Sequence, residues 1–279
     1  MKKCVIFGAG GTGRKVYSLV KKEYEVLFFV DNDETKVGWK IFDKEVKSPS
    51  EIKNIDFDTI FIGSLMGMES ITLQLLELGV MPTKINREYI SLSIKSREKF
   101  LENFKEVLDI RGKFAAVAEA GVYQGEFAKV INRIFPNSKC YLFDTFEGFD
   151  NRDFSYEEKE SLIQAEHLKK TSIELVLSKM TTPENCIIKQ GYFPDTAVGL
   201  DEKYMFVNLD MDLYKPILDG LVYFYPRMIS GGVILIHDYF SDVYPNVKSA
   251  VLDYEQKYLD GKKLNMLPIG DDISLAILK

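Results

Sequence analysis

Two glycine-rich turns constrain the fold of this chain more than any other feature. Each turn follows a short apolar strand and leads into a segment with apolar residues at helical spacing. The first turn begins at Gly8 and the second at Gly121. A strand, a glycine turn and a helix together begin a nucleotide-binding βαβ unit. The sequence therefore predicts two such units, one after the other.

Strands and helix-length segments alternate along the rest of the chain, a pattern typical of a mostly parallel sheet covered on both faces. We predict the α/β class, with two doubly wound Rossmann-like domains. The small N-terminal half-Rossmann domain is predicted at residues 1–92 and the larger domain at residues 93–279. The charged, helix-prone stretch Ser93–Phe104 is the predicted connector between them.

The first turn has the dinucleotide-binding pattern GxGxxG. Its glycines are Gly8, Gly10 and Gly13, and Asp31 ends the following strand. Taken alone, this pattern predicts NAD, with Asp31 at the ribose. The domain ends near residue 90, however, and no plausible hydride-transfer machinery follows. The prediction of a dehydrogenase therefore depends on this turn alone, and it would be excluded if the protein failed to bind NADH.

The second turn fits S-adenosylmethionine better than NAD. Glu119 ends its strand, Gly121 and Gly125 form the turn, and Asp144 ends the next strand. The spacing lacks the GxGxxG that seats a pyrophosphate on a helix N-terminus. Carboxylates suit a cationic sulfonium, and an acid at the strand end can accept ribose hydroxyls. The alternative is an ordinary tight turn with two solvated acids.

Further along, two strands end in polar residues. Asp210 follows the strand Met205–Leu209, and His237 and Asp238 follow the strand Val233–Ile236. Neighbouring parallel strands place their carboxyl ends side by side, so these three side chains are predicted to converge. They can hold a divalent cation that lowers the pKa of a bound hydroxyl, with Asp210 as the general base. The alternative is that these acids only cap helices.

Several stretches, EAGVYQGEFA, YLFDTFEGF, GYFPDT, NLDMDLYKP and YPRMISGGVILIHDY, resemble the macrocin O-methyltransferase (TylF/MycF-type) family. The resemblance covers about Phe114–Lys257. It implies a class I S-adenosylmethionine-dependent methyltransferase fold, a divalent cation, a sugar hydroxyl as acceptor, and Asp210 as both metal ligand and base. The predicted cofactor-binding residues are Glu119, Gly121, Tyr123, Gly125, Asp144 and Thr145.

One residue departs from the family pattern, which has paired aspartates before the tyrosine of the last stretch. Here His237 takes the place of the first, leaving Asp238 and Tyr239. A histidine ligand shifts the preference from magnesium toward manganese or another softer ion. The predicted metal ligands are Asp210, His237 and Asp238, and the predicted catalytic residues are Asp210 and His237.

The N-terminal stretch VDNDETKVGWKIFDKEVKSPSEI is similar to the small N-terminal domain of PglD-type sugar acetyltransferases, over about residues 3–85. The resemblance implies a nucleotide-sugar, sugar or glycan ligand, or else a structural interaction module. The residues predicted to contact such a ligand are Gly8, Gly10, Gly11, Gly13 and Asp31.

Composition excludes several classes of protein. The net charge of −6 argues against nucleic-acid binding, and no apolar run has the roughly 20 residues that a membrane helix needs. The N-terminus does not resemble a signal peptide, because its short apolar stretch runs into the glycine turn. Three separated cysteines without a CxxC pair indicate buried thiols in a reducing compartment. We therefore predict a cytoplasmic protein without a membrane partner, and the family resemblance favours a homo-oligomer.

The leading hypothesis is an O-methyltransferase acting on a sugar hydroxyl, in a nucleotide-linked sugar or a surface polysaccharide. Asp210-Met-Asp212 is also a DxD, so a metal-dependent glycosyltransferase is the second hypothesis. A non-catalytic sugar-nucleotide-binding or assembly protein is the third. The charged segment Asn151–Lys170, which contains His167, is predicted as a lid over the acceptor.

Overall fold

The computed structural model describes residues 1–64, 67–154, 168–241 and 244–279, and the chain divides into two compact units. Unit 1 is Met1–Lys95 and unit 2 is Ser96–Lys279, against a predicted boundary at residue 92. Most of the predicted lid, with His167, lies outside the described residues. No helix in the described ranges is long and apolar enough to cross a membrane.

Unit 1 is a six-stranded sheet with helices. Its strands are β1 (Lys2–Phe7), β2 (Tyr24–Val30), β3 (Lys40–Ile41), β4 (Lys44–Lys47), β5 (Thr59–Ile62) and β6 (Ile85–Asn86). Its helices are α1 (Gly11–Val20) and α2 (Met68–Glu77), and α3 (Glu88–Ile110) continues into unit 2. The strand order is β3-β4-β2-β1-β5-β6, with parallel pairing except between β3 and β4.

The glycines of the first turn let α1 pack directly on the strands. A Cβ on Gly13 would lie 1.9 Å from the carbonyl oxygen of Gly8, and one on Gly8 would lie 2.4 Å from that of Gly63. Gly8 also has a φ of 119°, which side-chain-bearing residues rarely adopt. Gly10 has open space around it. The first and last glycines of GxGxxG are therefore required by the fold itself.

Unit 2 is a seven-stranded sheet in the order β12-β13-β11-β10-β7-β8-β9. Its strands are β7 (Ala116–Ala120), β8 (Cys140–Asp144), β9 (Cys186–Gln190), β10 (Tyr204–Leu209), β11 (Met228–Ile236), β12 (Asn265–Pro268) and β13 (Leu275–Leu278). Its helices besides α3 are α4 (Ala128–Ile134), α5 (Ile173–Ser178), α6 (Tyr214–Phe224) and α7 (Asn246–Tyr258). Among the described strands of this sheet the pairing is parallel except at β13, which is antiparallel to both β11 and β12.

The centre of this sheet is fully buried, because side chains cover both of its faces. Every residue of β7 and β10 is buried, including Glu119 and Asn208. Two apolar clusters, one on each face, pack against these strands. The carboxyl ends of β8, β7, β10 and β11 lie next to one another in that order, and this edge carries the polar residues of the site.

The three cysteines are free thiols. Cys4 and Cys140 are buried and Cys186 is half-buried. Burial raises the pKa of the Cys4 thiol to about 12, which keeps it protonated and unreactive near neutral pH.

Candidate active site

The glycine turn after β7 packs directly on the backbone that follows β10. Gly121 has a φ of 84°, and a Cβ there would lie 2.0 Å from the carbonyl oxygen of Asp210. Gly125, with a φ of 78°, faces Val176 of α5, where a Cβ would lie 3.1 Å from a methyl group. Both glycines thus allow close packing. At Gly121 the turn contacts the backbone of Asp210, the candidate base.

Asp144, at the end of β8, holds this turn. Its Oδ2 accepts hydrogen bonds from the backbone N–H groups of Val122 at 2.7 Å and Tyr123 at 2.8 Å. Its Oδ1 accepts one from the N–H of Phe146 at 2.7 Å. Burial raises the pKa of Asp144, and these three hydrogen bonds oppose that rise. The carboxylate predicted to bind a ribose therefore also fixes the shape of the loop around it.

Two of the residues whose N–H groups donate to Asp144 lie in the left-handed region, with φ values of 49° at Tyr123 and 58° at Phe146. The hydroxyl of Thr145 donates to the carbonyl of Gly148 at 2.5 Å and accepts from the N–H of Glu147 at 3.1 Å. The Thr145 hydroxyl, predicted to contact the cofactor, is thus engaged within its own loop.

An imidazole between two carboxylates lies at the ends of β10 and β11. His237 Nδ1 is 2.9 Å from Asp210 Oδ1 and 2.6 Å from Asp238 Oδ2. Burial lowers the pKa of His237, but the two carboxylates outweigh it and raise that pKa to about 10. One ligand atom from each of the three residues lies within 4.8 Å of the others. The structure therefore brings together the three residues predicted as metal ligands.

Glu119 lies beside this cluster and is 2 % exposed. Its Oε1 accepts a hydrogen bond from Asn208 Nδ2 at 2.8 Å, while its Oε2 is buried without a partner among the described residues. Burial, followed by the charge of Asp210, raises the pKa of Glu119 to about 8. This carboxyl is a buried acceptor that protein groups satisfy only in part.

Two residues of the site, Asn208 and Arg97, were not among the predicted site residues, and a third, Asp212, was named only in the DxD of the second hypothesis. Asn208 orients Glu119, and burial with the charge of Asp238 raises the pKa of Asp212 well above its usual range. Arg97, on α3, has its guanidinium carbon 4.3 Å from the ring centroid of Phe127. Asn208 and Asp212 flank Asp210 in the stretch NLDMD, which was a usable signal. No sequence signal marks Arg97, because it is one of several charged residues in the same helix.

In unit 1, Asp31 is used in the same way as Asp144. Its Oδ2 accepts from the N–H of Ala9 at 2.8 Å, its Oδ1 accepts from the N–H of Asp33 at 2.9 Å, and Lys36 Nζ lies 3.6 Å away. Gly11 is the first residue of α1, beside the open space at Gly10. Ligand binding by this turn stays a prediction.

Comparison with known families identifies the class of protein. Residues 95–266 match the model of the family described as Macrocin-O-methyltransferase (TylF), which is more than half of the chain. The chain belongs to this family and is an S-adenosylmethionine-dependent O-methyltransferase. Residues 1–86 match the family described as C2185-like, N-terminal, and the predicted likeness to PglD-type acetyltransferases is not confirmed.

Solved structures support the same fold. The O-methyltransferase NovP aligns with a TM-score of 0.55 and 21 % identity, over 66 % of this chain and 79 % of that one. The calicheamicin methyltransferase CalS11 aligns with a TM-score of 0.52 and 17 % identity, over 76 % and 91 %. The predicted Rossmann-like α/β fold is thereby confirmed. No curated protein matches the chain significantly.

Replacing Asp144 with Asn tests its hold on the turn. An amide offers one acceptor oxygen, so at least one of the three N–H bonds is lost. We expect the free energy of unfolding to fall by about 1–3 kcal/mol and the Kd for S-adenosylhomocysteine to rise about tenfold or more. Thermal unfolding and calorimetry measure the two effects. The matched variant Asp31→Asn, which removes the equivalent acceptor in unit 1, should leave that Kd within about twofold; equal losses in both variants would contradict this role.

Proposed function

We propose that this enzyme transfers the methyl group of S-adenosylmethionine to a hydroxyl of a sugar, either nucleotide-linked or within a surface polysaccharide. The observation that carries the proposal is the contact between the glycine turn and Asp210, because it puts the predicted donor loop against the predicted base. CalS11 is described as a TDP-rhamnose 3′-O-methyltransferase, which supports a sugar as the acceptor.

In this proposal each polar residue has a distinct task. Asp210 takes the proton from the acceptor hydroxyl as its oxygen attacks the methyl carbon. His237, between two carboxylates at 2.6 and 2.9 Å, orients Asp210 and balances its charge. Asp144 and Glu119 bind the donor. Methyl transfer from a sulfonium needs the two reacting atoms in line, so the residues act mainly by positioning.

The cluster of Asp210, His237 and Asp238 also fits a divalent cation, Mg²⁺ or Mn²⁺. Two carboxylates and an imidazole are suitable ligands, their ligand atoms lie close together, and His237 Nε2 is buried without a partner among the described residues. Such an ion would be held by the neutral imidazole, so it would replace the proton of His237 between the two carboxylates and would act as a Lewis acid that lowers the pKa of the acceptor hydroxyl.

Removal of the cation tests this part of the proposal. After treatment with EDTA and exchange into metal-free buffer, we expect methyl transfer to fall about 100-fold or more, because the hydroxyl keeps its high pKa. Addition of Mg²⁺ or Mn²⁺ should restore the rate, and the ion that restores it better identifies the preference. Full activity in the presence of chelator would contradict metal dependence, but it would not contradict the proposal that the enzyme transfers a methyl group.

The acceptor is tested by incubating the enzyme with radiolabelled S-adenosylmethionine and a panel of TDP-, UDP- and GDP-linked hexoses and heptoses, each with either ion. We expect label in the nucleotide-sugar fraction and a methyl ether after hydrolysis. Polysaccharide fragments are the second panel. An enzyme that binds the donor and labels neither panel would contradict the sugar acceptor. The cytoplasmic location and homo-oligomeric state stay predictions.

A further inference from the structure

Two of the three cysteines lie opposite each other on neighbouring strands of unit 2. Cys140 begins β8 and Cys186 begins β9, and the two residues are directly paired in the parallel register of these strands. Neighbouring strands lie about 4.8 Å apart, and a disulfide joins residues whose Cα atoms are about 4.4–6.8 Å apart. A bond between these two sulfurs therefore fits the sheet without a change of register.

Both thiol side chains lie on the same face of the sheet. Cys140 belongs to one of the two apolar clusters of unit 2, and Cys186 packs against that same cluster. Asn132, a buried residue of α4, donates a hydrogen bond from its Nδ2 to the sulfur of Cys186 at 3.4 Å. The sulfur of Cys186 is thus held beside Cys140.

The two thiols differ in burial and in acidity. Cys140 is buried, whereas Cys186 is half-buried on β9, which is at the edge of the sheet among its described strands. The thiol of Cys140 donates to the sulfur of Cys186, and this contact lowers the pKa of Cys186 and raises the pKa of Cys140. A more acidic and more accessible thiol beside a buried one is typical of a peroxide-reactive cysteine with its resolving partner.

We propose that Cys186 and Cys140 are a modification site, at which hydrogen peroxide forms a reversible disulfide. The sulfur of Cys186 attacks one peroxide oxygen and the O–O bond breaks. Cys186 becomes a sulfenic acid, and the other oxygen leaves as water with the proton of the thiol. The sulfur of Cys140 then attacks the sulfenic sulfur, the S–O bond breaks, and a second water leaves with the proton of Cys140. The two electrons lost by the thiols reduce the peroxide, and a dithiol reductant reverses the reaction.

A role in packing alone predicts a different behaviour. Buried thiols without a partner are inert, as expected for Cys4 in unit 1, because burial raises the pKa of that thiol to about 12. If Cys140 and Cys186 were only small core residues, mild peroxide treatment would leave both thiols free or would oxidise Cys186 alone. A bond that joins Cys186 to Cys140 and spares Cys4 therefore distinguishes the two roles.

Mass spectrometry of the full chain before and after treatment with hydrogen peroxide tests the proposal, with free thiols blocked before the protein is denatured. We expect the intact mass to fall by two hydrogen atoms, one of the three thiols to remain free, and digestion to give two peptides joined through Cys140 and Cys186. Dithiothreitol should restore all three thiols. The variant Cys140→Ala should stop at a sulfenic acid on Cys186, which dimedone traps.

The matched control is Cys4→Ala, which removes the cysteine of unit 1 and should form the same bond at a rate within about twofold. The proposal would be overturned by a treated chain that keeps all three thiols, forms a bond through Cys4 or between two chains, or carries a sulfinic acid at Cys186 without a bond. The unaltered protein decides the matter even if a variant fails to fold. Because neither donor nor acceptor is present, failure of sugar methylation does not affect the result.

Discussion

Replacing Asp210 with Asn is expected to lower the rate constant of methyl transfer by about 10²–10⁴-fold, the usual contribution of a general base. Asparagine has nearly the same shape but does not take up the acceptor proton, and it weakens the contact with His237 Nδ1 at 2.9 Å. The residues proposed to bind the donor do not include Asp210, so the Kd for S-adenosylhomocysteine should change by less than about threefold. Single-turnover transfer with the identified sugar measures the first quantity, and calorimetry measures the second.

The control for this variant is Asp201→Asn, which makes the same chemical change at an exposed position before β10. It should leave the rate within about twofold, as surface substitutions usually do. If Asp210→Asn transfers methyl groups at the normal rate, Asp210 is not the base. If it instead loses donor binding in proportion to rate, its role is structural.

Replacing Gly121 with Ala is expected to have the largest effect on stability. The new Cβ would lie 2.0 Å from the carbonyl oxygen of Asp210, and the φ of 84° adds strain for any side chain. Neither atom in this contact is a flexible side-chain end, so the turn and the end of β10 must separate. We expect the free energy of unfolding to fall by about 3 kcal/mol or more and Tm to fall by about 6 °C or more. Donor affinity should fall about tenfold or more, since the turn is displaced.

Gly199 offers a matched comparison, because it has a φ of 79° and no heavy atom within 4 Å of the position that a Cβ would occupy. Gly199→Ala therefore carries the backbone strain without the collision, and we expect it to cost about 1–2 kcal/mol and to leave donor affinity unchanged. Equal destabilisation by the two variants would show that φ, and not the contact with Asp210, makes Gly121 necessary.

Much of the fold follows from local pattern, because short apolar runs next to glycine turns have few alternatives. The strands predicted at Met205–Leu209 and Val233–Ile236 end at the same residues as β10 and β11. Strand starts are less well predicted, because β11 begins at Met228, five residues before the predicted start. β7 extends through Glu119 to Ala120. The buried carboxyl of Glu119 is accommodated there because Asn208, on β10, donates a hydrogen bond to it. That partner lies on another strand, so local pattern does not reveal it.

The candidate site is predictable to the extent that sheet topology determines it. Asp210, His237 and Asp238 end neighbouring parallel strands, and this rule alone predicts that their side chains converge. Their roles stay predictions. Arg97 was missed because Phe127, on which its guanidinium stacks, is far from it in the sequence. The double use of Asp144 was missed because hydrogen bonds to loop N–H groups leave no trace in composition.

Asp144 accepts hydrogen bonds from three backbone N–H groups, those of Val122, Tyr123 and Phe146. The glycine turn after β7, which is predicted to bind the donor, is therefore already ordered before a ligand binds. Its conformational entropy is lost during folding, so ligand binding does not have to order it. In the proposed donor site this loop would contact parts of the donor that are the same before and after the methyl group departs. We therefore expect S-adenosylhomocysteine to compete strongly with the donor, so that turnover in a closed vessel slows as it accumulates and recovers when a hydrolase removes it.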